Sequence, residues 1–321
     1  MIPLIWLKEA ETRIAPTIRV TPLTYDPENK IYIKWENHQV TGSFKVRGAL
    51  NKILALQPWE REQGIVAASA GNHGQGVALA ARMTGAKAIV FASEHAVPAK
   101  IQAMQALGAE VRLVPGGYGE AEKAAIEFAA SSGATWVSPY NDGQIIAGQG
   151  SLALEILAQL PEAGAFTWLV PAGGGGLLAG IGAALKADGD HGGKPSSAKL
   201  VGVQSIASPF MHQIYHTGSQ EGVLELPSLA DGLSGPVEAN SLTIPLIRKY
   251  ADDLVLVTEQ EIRSAIRYAW QHYGERIEGA GAVGLAAVVS GRVSAPPAVV
   301  IISGGNIQAE LHQQILNEPE A

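Results

Sequence analysis

The chain contains no cysteine and has few charged residues. The absence of cysteine from its 321 residues excludes a disulfide scaffold, a thiol nucleophile, an iron–sulfur cluster and a thiolate zinc site. Charged residues make up 17% of the chain, against about 25% in a typical soluble protein. The 23 basic residues are outnumbered by 30 acidic ones, which gives a net charge of −7, and no long basic run occurs. This balance argues against binding to nucleic acid or to an anionic membrane.

The sequence also lacks an uninterrupted apolar segment that would span a membrane. Residues 163–185 carry no charge, but Pro171 and the glycines from Gly173 to Gly176 interrupt this run. A short strand, a glycine loop and a helix are therefore predicted there. The N-terminus has acidic residues within its first dozen positions and no long apolar core, so no signal peptide is expected. We expect a soluble, cytoplasmic protein.

Short apolar runs alternate with longer helical patterns along most of the chain, which is typical of doubly wound α/β sheets. Nine strands are many for one open sheet, so two smaller α/β domains with a cleft between them are predicted. The predicted strands are Ile31–Trp35, Ile65–Ala68, Ala86–Ala92, Glu110–Val114, Thr135–Ser138, Thr167–Pro171, Lys199–Gln204, Leu254–Val257 and Ala298–Ser303. Predicted helices include Lys45–Ala55, Gly74–Thr84, Pro98–Leu107, Glu120–Ser131, Gly176–Ala187, Thr258–Tyr273 and Gly279–Val289.

Glycine is abundant, at 37 residues, and it is clustered rather than periodic. Clusters of glycine beside apolar runs are typical of ligand sites lined by backbone. Four uncharged or glycine-rich segments lie where a strand is expected to pass into a helix, and ligands of open α/β sheets bind at that edge. One composite site is therefore predicted from the segments Thr41–Gly48, Ser69–Gly76, Pro171–Gly180 and Ser303–Asn306.

The four consecutive glycines at Gly173–Gly176 precede a predicted helix. Their amide groups, together with the helix dipole, suit a phosphate. One G-x-G-x-x-A match also starts at Gly174, but the next predicted strand ends at Gln204 and offers no acid for a ribose. The alternative is a loop that serves only close helix–strand packing.

Lys45 follows a Thr-Gly-Ser turn and stands next to Phe44. A lysine partly buried in a neutral pocket has a lowered pKa and can act as a Schiff-base amine. The alternative is a solvated lysine in the first turn of a helix, although Arg47 is expected to be the more solvated neighbour.

These motifs resemble those of a known enzyme family. TGSFKVRGA, SAGNHGQG, GGGGLLAG and SGGN, in this order, are similar to the fold-type II pyridoxal-phosphate enzymes, and within them to the threonine/serine dehydratase (threonine ammonia-lyase) and serine racemase group. The resemblance extends from Thr21–Pro22 to SGGN, and weaker matches occur at Ala230–Gly232 and Glu278–Ala282. It implies two open-sheet domains of the tryptophan synthase β-like kind, with pyridoxal 5'-phosphate in the cleft. Residues 1–36 and 141–321 would form the large, coenzyme-binding domain, and residues 37–140 the small domain with the carboxylate-binding loop.

The resemblance also implies roles for individual residues. Lys45 would bind the coenzyme as an imine and afterwards move the Cα proton, with Phe44 packed beside the coenzyme. Asn72 would bond the phenolic oxygen, and Ser303 would face the ring nitrogen. The phosphate would be held by Gly173, Gly174, Gly175, Gly176 and Leu177, and the substrate carboxylate by hydroxyl and backbone donors of Ser69, Asn72 and His73.

The implied activity is removal of water from L-threonine or L-serine, which yields a 2-oxo acid and ammonia. A neutral Ser303 makes the ring a weaker electron sink, which suits elimination. Three alternatives remain: a serine racemase, which would carry a second serine where this chain has Ala70; a threonine synthase-like lyase, which would need basic residues for a phosphorylated substrate; and a silent coenzyme or amino-acid binder. A homo-oligomer is expected from the relatives.

No metal site is predicted. His212 and His216 have i, i+4 spacing, but no third ligand is apparent in the sequence. The divalent-cation site of racemase-like relatives would place acids where this chain has Gln204 and Phe210. Glu278 is expected either to line the pocket behind the coenzyme or to stabilise a helix N-terminus. Residues 188–198, which are rich in glycine, proline and serine, are predicted to form a surface loop.

Overall fold

The computed structural model describes residues 1–161, 165–186, 197–294 and 297–318. Most of the predicted surface loop at 188–198 lies outside these residues. The described chain folds around two separate sheets, as the fold-type II resemblance implies. Among the described residues no helix is both long and apolar enough to cross a membrane.

The larger sheet has six strands in the order β1-β2-β10-β7-β8-β9, and the smaller has four in the order β5-β4-β3-β6. All neighbours pair in parallel except β1 and β2, which form an antiparallel hairpin at one edge. The strands are β1 Leu23–Asp26, β2 Ile31–Trp35, β3 Ile65–Ala68, β4 Ala88–Ser93, β5 Glu110–Val114, β6 Thr135–Trp136, β7 Thr167–Pro171, β8 Lys199–Ser205, β9 Asp253–Val257 and β10 Ala298–Ile302.

The helices cover both sheets, and several begin directly after a strand of the parallel sheets. Gly85, Gly133, Gly218 and Gly274 end four of them in the left-handed conformation that glycine adopts easily. The helices are α1 Leu4–Ile14, α2 Lys45–Ala55, α3 Pro58–Glu62, α4 Asn72–Thr84, α5 Pro98–Ala106, α6 Tyr118–Ser132, α7 Gly143–Gln159, α8 Gly176–Leu185, α9 Phe210–Thr217, α10 Thr243–Tyr250, α11 Glu259–Tyr273, α12 Gly279–Val289 and α13 Ala309–Asn317.

Each of the nine predicted strands is present, with ends shifted by up to two residues. Strand β1 was not predicted, because its four residues show no alternating apolar pattern and the one that is buried is Asp26. The domain division at residues 36/37 and 140/141 stays a prediction. The larger sheet takes its strands from residues 23–35 and 167–302, and the smaller sheet takes its strands from residues 65–136.

Helix α7 packs against both α2 and α8, and glycine makes this close approach possible. A Cβ atom on Gly148 would lie 2.7 Å from the backbone oxygen of Arg47, and one on Gly150 would lie 2.6 Å from that of Gly180. Glycine lowers helix propensity, so local sequence gives a weak signal for α7. Its residues Leu152, Ala153 and Ile156 are fully buried in the main apolar core.

A buried ion cluster joins α2 to α7 and to the end of β2. The expectation that Arg47 is solvated was wrong: its side chain is 1% exposed, because Glu36 and Glu155 neutralise it inside the protein. Arg47 donates to both oxygens of Glu36, at 2.7 and 2.8 Å, and to Glu155 at 2.8 Å. The ammonium of Lys34, also fully buried, donates to Glu155 at 2.5 Å and to the carbonyl oxygen of Thr21 at 2.7 Å. The cluster fixes the first turns of α2 against the larger sheet.

We expect Arg47→Ala to lower the free energy of unfolding by about 3–5 kcal/mol, because it leaves buried carboxylates without their cation. Arg292→Ala is the matched control, since Arg292 makes a similarly short 2.8 Å ion pair with Glu261 and its own side chain is half-exposed. That control should cost less than about 1 kcal/mol. Urea unfolding of both variants measures the difference, and equal losses would contradict this account of the cluster.

Candidate active site

A cavity of about 640 Å³ lies where the two sheets face each other. Residues from all four predicted segments line it, so the structure brings the composite site together. They arrive from the start of α2, from the carboxyl ends of β3 and β7, and from the end of β10. The sequence-predicted residues in the cavity lining are Phe44, Lys45, Ser69, Asn72, His73, Gly173, Gly174, Gly175, Gly176, Leu177 and Ser303.

The loop of four glycines forms a cradle between β7 and α8. Gly175 caps α8 with a φ of 87°, in the left-handed region that favours glycine. A Cβ atom on Gly174 would lie 2.3 Å from the ring of Tyr140, and one on Gly173 would lie 2.9 Å from the Cα of Leu233. The backbone therefore occupies space that no side chain can share. Free amide groups at a helix N-terminus bind anions, so the cradle fits a phosphate.

Lys45 is the first residue of α2, and its ammonium lies inside the cavity. Burial lowers the pKa of Lys45 to about 8, although the Glu278 carboxylate opposes this shift. Its Nζ donates to the backbone oxygen of Pro139 at 3.0 Å and lies 5.3 Å from the centre of the Phe44 ring. The alternative of a solvated lysine is excluded by this geometry. A buried amine with a lowered pKa is suited to imine chemistry.

Asn72, at the start of α4, is held from two sides. Its Nδ2 donates to Oε1 of Glu278 at 2.6 Å, and its Oδ1 accepts from Nδ2 of Asn306 at 2.7 Å. Asn306 also donates to the carbonyl oxygen of Thr41 at 2.9 Å. These bonds fix the amide of Asn72, which lines the cavity, and they leave one of its two N–H groups unused. Asn306 was not assigned a role from the sequence, although it is the last residue of the SGGN motif.

Glu278 lies at the cavity wall and is 6% exposed. Burial, with the nearby Asp231 carboxylate, raises the pKa of Glu278 to about 7. Glu278 therefore lies in the pocket wall, which is one of the two positions expected from the sequence. It also immediately precedes the first turn of α12, which is the other. Near neutral pH this carboxyl exists in both protonation states.

The loop between β3 and α4 presents Ser69, Asn72 and His73 to the cavity. Gly71 is the N-cap of α4, and the backbone N–H of Gly71 donates a hydrogen bond to Ser69 Oγ at 3.0 Å. Burial and then the Lys45 ammonium lower the pKa of His73 to about 3, so its ring is neutral. Because His73 Nε2 lies 2.9 Å from the carbonyl oxygen of Val137, Nε2 carries the proton, and the ring offers no cation to a substrate. The amide groups at the start of α4 are the anion donors of this loop.

Ser303 follows β10 and is 3% exposed. Its Oγ lies 3.5 Å from the backbone oxygen of Ala280, a distance at which a hydrogen bond is weak. The Ser303 backbone oxygen accepts from the amide of Phe44 at 3.0 Å, which ties β10 to the start of α2. A neutral hydroxyl with a weak partner therefore stands at this wall of the cavity.

The cavity is rich in acids that were not identified from the sequence. Glu122, Glu225 and Asp231 line it together with Glu278, whereas Lys45 and Lys100 are its only basic residues in the described part of the chain. The sequence pattern predicts that Glu122 lies on a helix, but it does not indicate which face of that helix is turned to the cavity. Glu122 could therefore not be identified as a cavity residue from the local sequence.

The two histidines on α9 do not form part of the cavity lining. Their ring centres lie 4.3 Å apart, and His216 Nε2 lies 3.0 Å from the backbone oxygen of Leu254. Gln204 Oε1 accepts from the amide of His212 at 2.7 Å. Within the described ranges, no group of three or more histidines and acids is arranged to hold a metal ion.

The residues present fit pyridoxal phosphate. The cradle takes a phosphate, the buried amine of Lys45 takes an aldehyde, and the amide of Asn72 and the hydroxyl of Ser303 offer polar contacts at two further walls. The cavity is large enough for the coenzyme and a small amino acid together.

Comparison with known proteins agrees with this fit. The model of the family described as "Pyridoxal-phosphate dependent enzyme" matches residues 10–304. The L-threonine ammonia-lyase of Thermotoga maritima is 40% identical over 99% of this chain and 79% of its own length, and that of Geobacter sulfurreducens is 38% identical over 97% and 77%. The processed threonine deaminase isoform 2 of Solanum lycopersicum has a TM-score of 0.87 at 28% identity, covering 97% of this chain and 92% of its own. Maize serine racemase has a TM-score of 0.87 at 30% identity, covering 97% and 96%.

The chain therefore belongs to the pyridoxal-phosphate dependent enzyme family. The sequence-based predictions of the fold class, of pyridoxal phosphate as the coenzyme and of an enzymatic function are confirmed.

The lowered pKa of Lys45 predicts how coenzyme-free protein takes up pyridoxal phosphate. Only the neutral amine attacks an aldehyde, and with a pKa of about 8 roughly one tenth of Lys45 is neutral at pH 7. The rate of uptake should rise through pH 7–8 and level off above about pH 9. Stopped-flow absorbance measures this rate. A rate still rising tenfold per pH unit at pH 9–10 would indicate an ordinary, solvated lysine.

Proposed function

We propose that the enzyme removes water from L-threonine, L-serine or both, and releases a 2-oxo acid and ammonia. The observation that carries the proposal is the meeting of a buried amine, a phosphate cradle and an anion-binding helix start in one cavity. The named relatives that are 38–40% identical over nearly the whole chain support the same activity.

We assign the coenzyme-binding roles to the residues that line the cradle and its surroundings. Pyridoxal phosphate, when bound, supplies the electron sink that makes the Cα proton of an amino acid acidic. Lys45 would hold the coenzyme through Nζ, the free N–H of Asn72 would point to its phenolic oxygen, and Ser303 would face the ring nitrogen. Phe44 would pack beside the ring. The phosphate would lie on the amides of Gly173, Gly174, Gly175, Gly176 and Leu177.

The substrate carboxylate would bind at the loop that starts α4. The hydroxyl of Ser69 and the backbone amides of Asn72 and His73 are the donors proposed for it. The neutral ring of His73 takes no part as a cation, because Val137 holds its single N–H. The helix dipole adds to the attraction of an anion at this position.

Lys45 Nζ is the base proposed for the Cα proton. Its lowered pKa leaves a usable fraction of neutral amine near pH 7–8, where an ordinary lysine is almost wholly charged. The Cβ–O bond then breaks, and the hydroxyl takes up a proton and leaves as water. The enamine that is released is hydrolysed by water to the 2-oxo acid and ammonia. The hydroxyl of Ser303 cannot keep a ring nitrogen charged as a carboxylate does, and this favours elimination over other outcomes at Cα.

Two observations weigh against the alternative functions. The side chain of Ala70 has no group that can donate or accept a proton. At this position, where racemases have a second serine, the cavity wall therefore offers no acid or base. The cavity acids Glu122 and Glu225 would repel the phosphate of a threonine synthase substrate. We further propose that the enzyme works in the cytoplasm as a homo-oligomer, and that it divides into residues 1–36 with 141–321 and residues 37–140.

Incubation with single L-amino acids tests the proposed function. L-threonine should yield 2-oxobutanoate and L-serine pyruvate, each with one equivalent of ammonia. Lys45→Ala should abolish turnover, because the other lysine in the described cavity lining, Lys100, is paired with Asp231 beside the start of α4. Lys52→Ala, two turns along the same helix, is the control and should retain turnover. Normal 2-oxo acid production by Lys45→Ala would refute the assignment of Lys45.

Ser303→Asp should slow the elimination and increase side reactions at Cα. The introduced carboxylate would stabilise the ring nitrogen in its protonated form, with the proton taken from solvent, and would strengthen the electron sink. Chromatography of the products from L-serine, including the separation of D-serine, measures the change, with Ser303→Thr as the control that keeps a hydroxyl. An unchanged product distribution in Ser303→Asp would contradict the role of Ser303.

A further inference from the structure

Lys100, on α5, is a cation in the cavity lining. The proposed contacts to the coenzyme and to the substrate do not use it. Its side chain is 18% exposed, and its Nζ lies 3.0 Å from Oδ2 of Asp231. Asp231 belongs to the short turn Asp231–Leu233 on the other side of the cavity, so the ion pair crosses it. Because the Asp231 side chain is 62% exposed, water competes for its carboxylate, and a pair of this kind stabilises little by itself.

The Lys100 ammonium lies beside the loop to which the substrate carboxylate is assigned. A Cβ atom on Gly71 would lie 3.5 Å from Lys100 Cδ and 3.7 Å from its Nζ. Gly71 caps α4 directly before Asn72 and His73. The ammonium of Lys100 is therefore next to the amides that start the helix, whereas that of Lys45 is held beside Pro139.

The loop has only neutral donors of its own. Ser69 offers a hydroxyl, Asn72 an amide, and His73 a neutral ring that is turned to Val137. An anion that leaves water for this cavity also meets the acids Glu122, Glu225 and Glu278. A neutral loop in acidic surroundings needs a cation to hold a carboxylate well.

We infer that Lys100 binds the carboxylate of the amino-acid substrate, exchanging its ion pair with Asp231 for one with the substrate. Asp231 is then released to water, where its exposed side chain is readily solvated. The inference rests on the proposed function only in placing the substrate carboxylate at the loop Ser69–His73. It adds a binding residue that discriminates amino acids from simple amines.

Steady-state kinetics give the first test. Lys100→Met keeps the length of the side chain and removes its charge, and it should raise the KM for L-threonine about 10- to 100-fold with kcat changed less than about threefold. Lys100→Arg should recover most of the affinity. Asp231→Asn should leave KM unchanged or lower, because it removes the competitor for Lys100. Lys52→Met is the matched control, since Lys52 is also 18% exposed and is paired with Asp142 at 2.7 Å.

Equilibrium binding separates carboxylate recognition from a general effect on the cavity. L-alanine has no β-hydroxyl to lose, so its dissociation constant can be measured from the coenzyme absorbance without elimination. Lys100→Met should weaken L-alanine by the same 10- to 100-fold and leave L-alaninamide, which lacks the carboxylate, within about threefold of the unsubstituted enzyme.

The outcomes distinguish the inference from the function on which it rests. Equal weakening of the acid and the amide, or equal KM increases in Lys100→Met and Asp231→Asn, would overturn the inference, because the pair would then act only to hold the cavity together. An unsubstituted enzyme that produces no 2-oxo acid would refute the proposed function. Selective loss of L-alanine binding in Lys100→Met would still support Lys100 as the carboxylate ligand in that case.

Discussion

The buried ion pair between Arg47 and Glu36 determines where α2 begins, and α2 begins with Lys45. Two carboxylates and two cations without solvent are costly to assemble, so they are stable only in one arrangement of Thr21, β2, α2 and α7. That arrangement directs Nζ of Lys45 into the cavity, beside Pro139. A lysine two residues from a fixed guanidinium has little freedom to reach solvent, and this is why its amine is buried with a lowered pKa.

Groups that attract anions and groups that repel them both line the cavity. Anion-binding amides from α4 and α8 face it, as a phosphate and a carboxylate require. Acidic side chains also line it; the Glu278 carboxylate favours the charged form of Lys45, and the acids together oppose additional anions. Under the proposed function, such a site takes one phosphate at the glycine cradle and one carboxylate at the start of α4, and it disfavours a second anionic group on the substrate.

The sequence allowed prediction of those parts of the site in which backbone and chain order carry the information. The parallel strands, the glycine cradle and the placement of Lys45 follow from patterns within about ten residues. The burial of Arg47 could not be foreseen, since of its two partners Glu155 lies 108 residues away and no local pattern shows that Glu36, 11 residues away, is itself buried. Lys100 and Asp231 are likewise brought together only by the fold, 131 residues apart. Helix α7 was missed because its glycines serve packing against α2 and α8 rather than helix formation.

Lys45 is the residue proposed to hold pyridoxal phosphate, and the other proposed roles depend on it. Reduction of the coenzyme-loaded enzyme with borohydride converts an imine into a stable secondary amine, and peptide mass spectrometry then locates the modified lysine. The account predicts one pyridoxyl group per chain, on the peptide that contains Lys45. A label on another lysine, such as Lys34 or Lys100, or a chain with no label after reduction would contradict it.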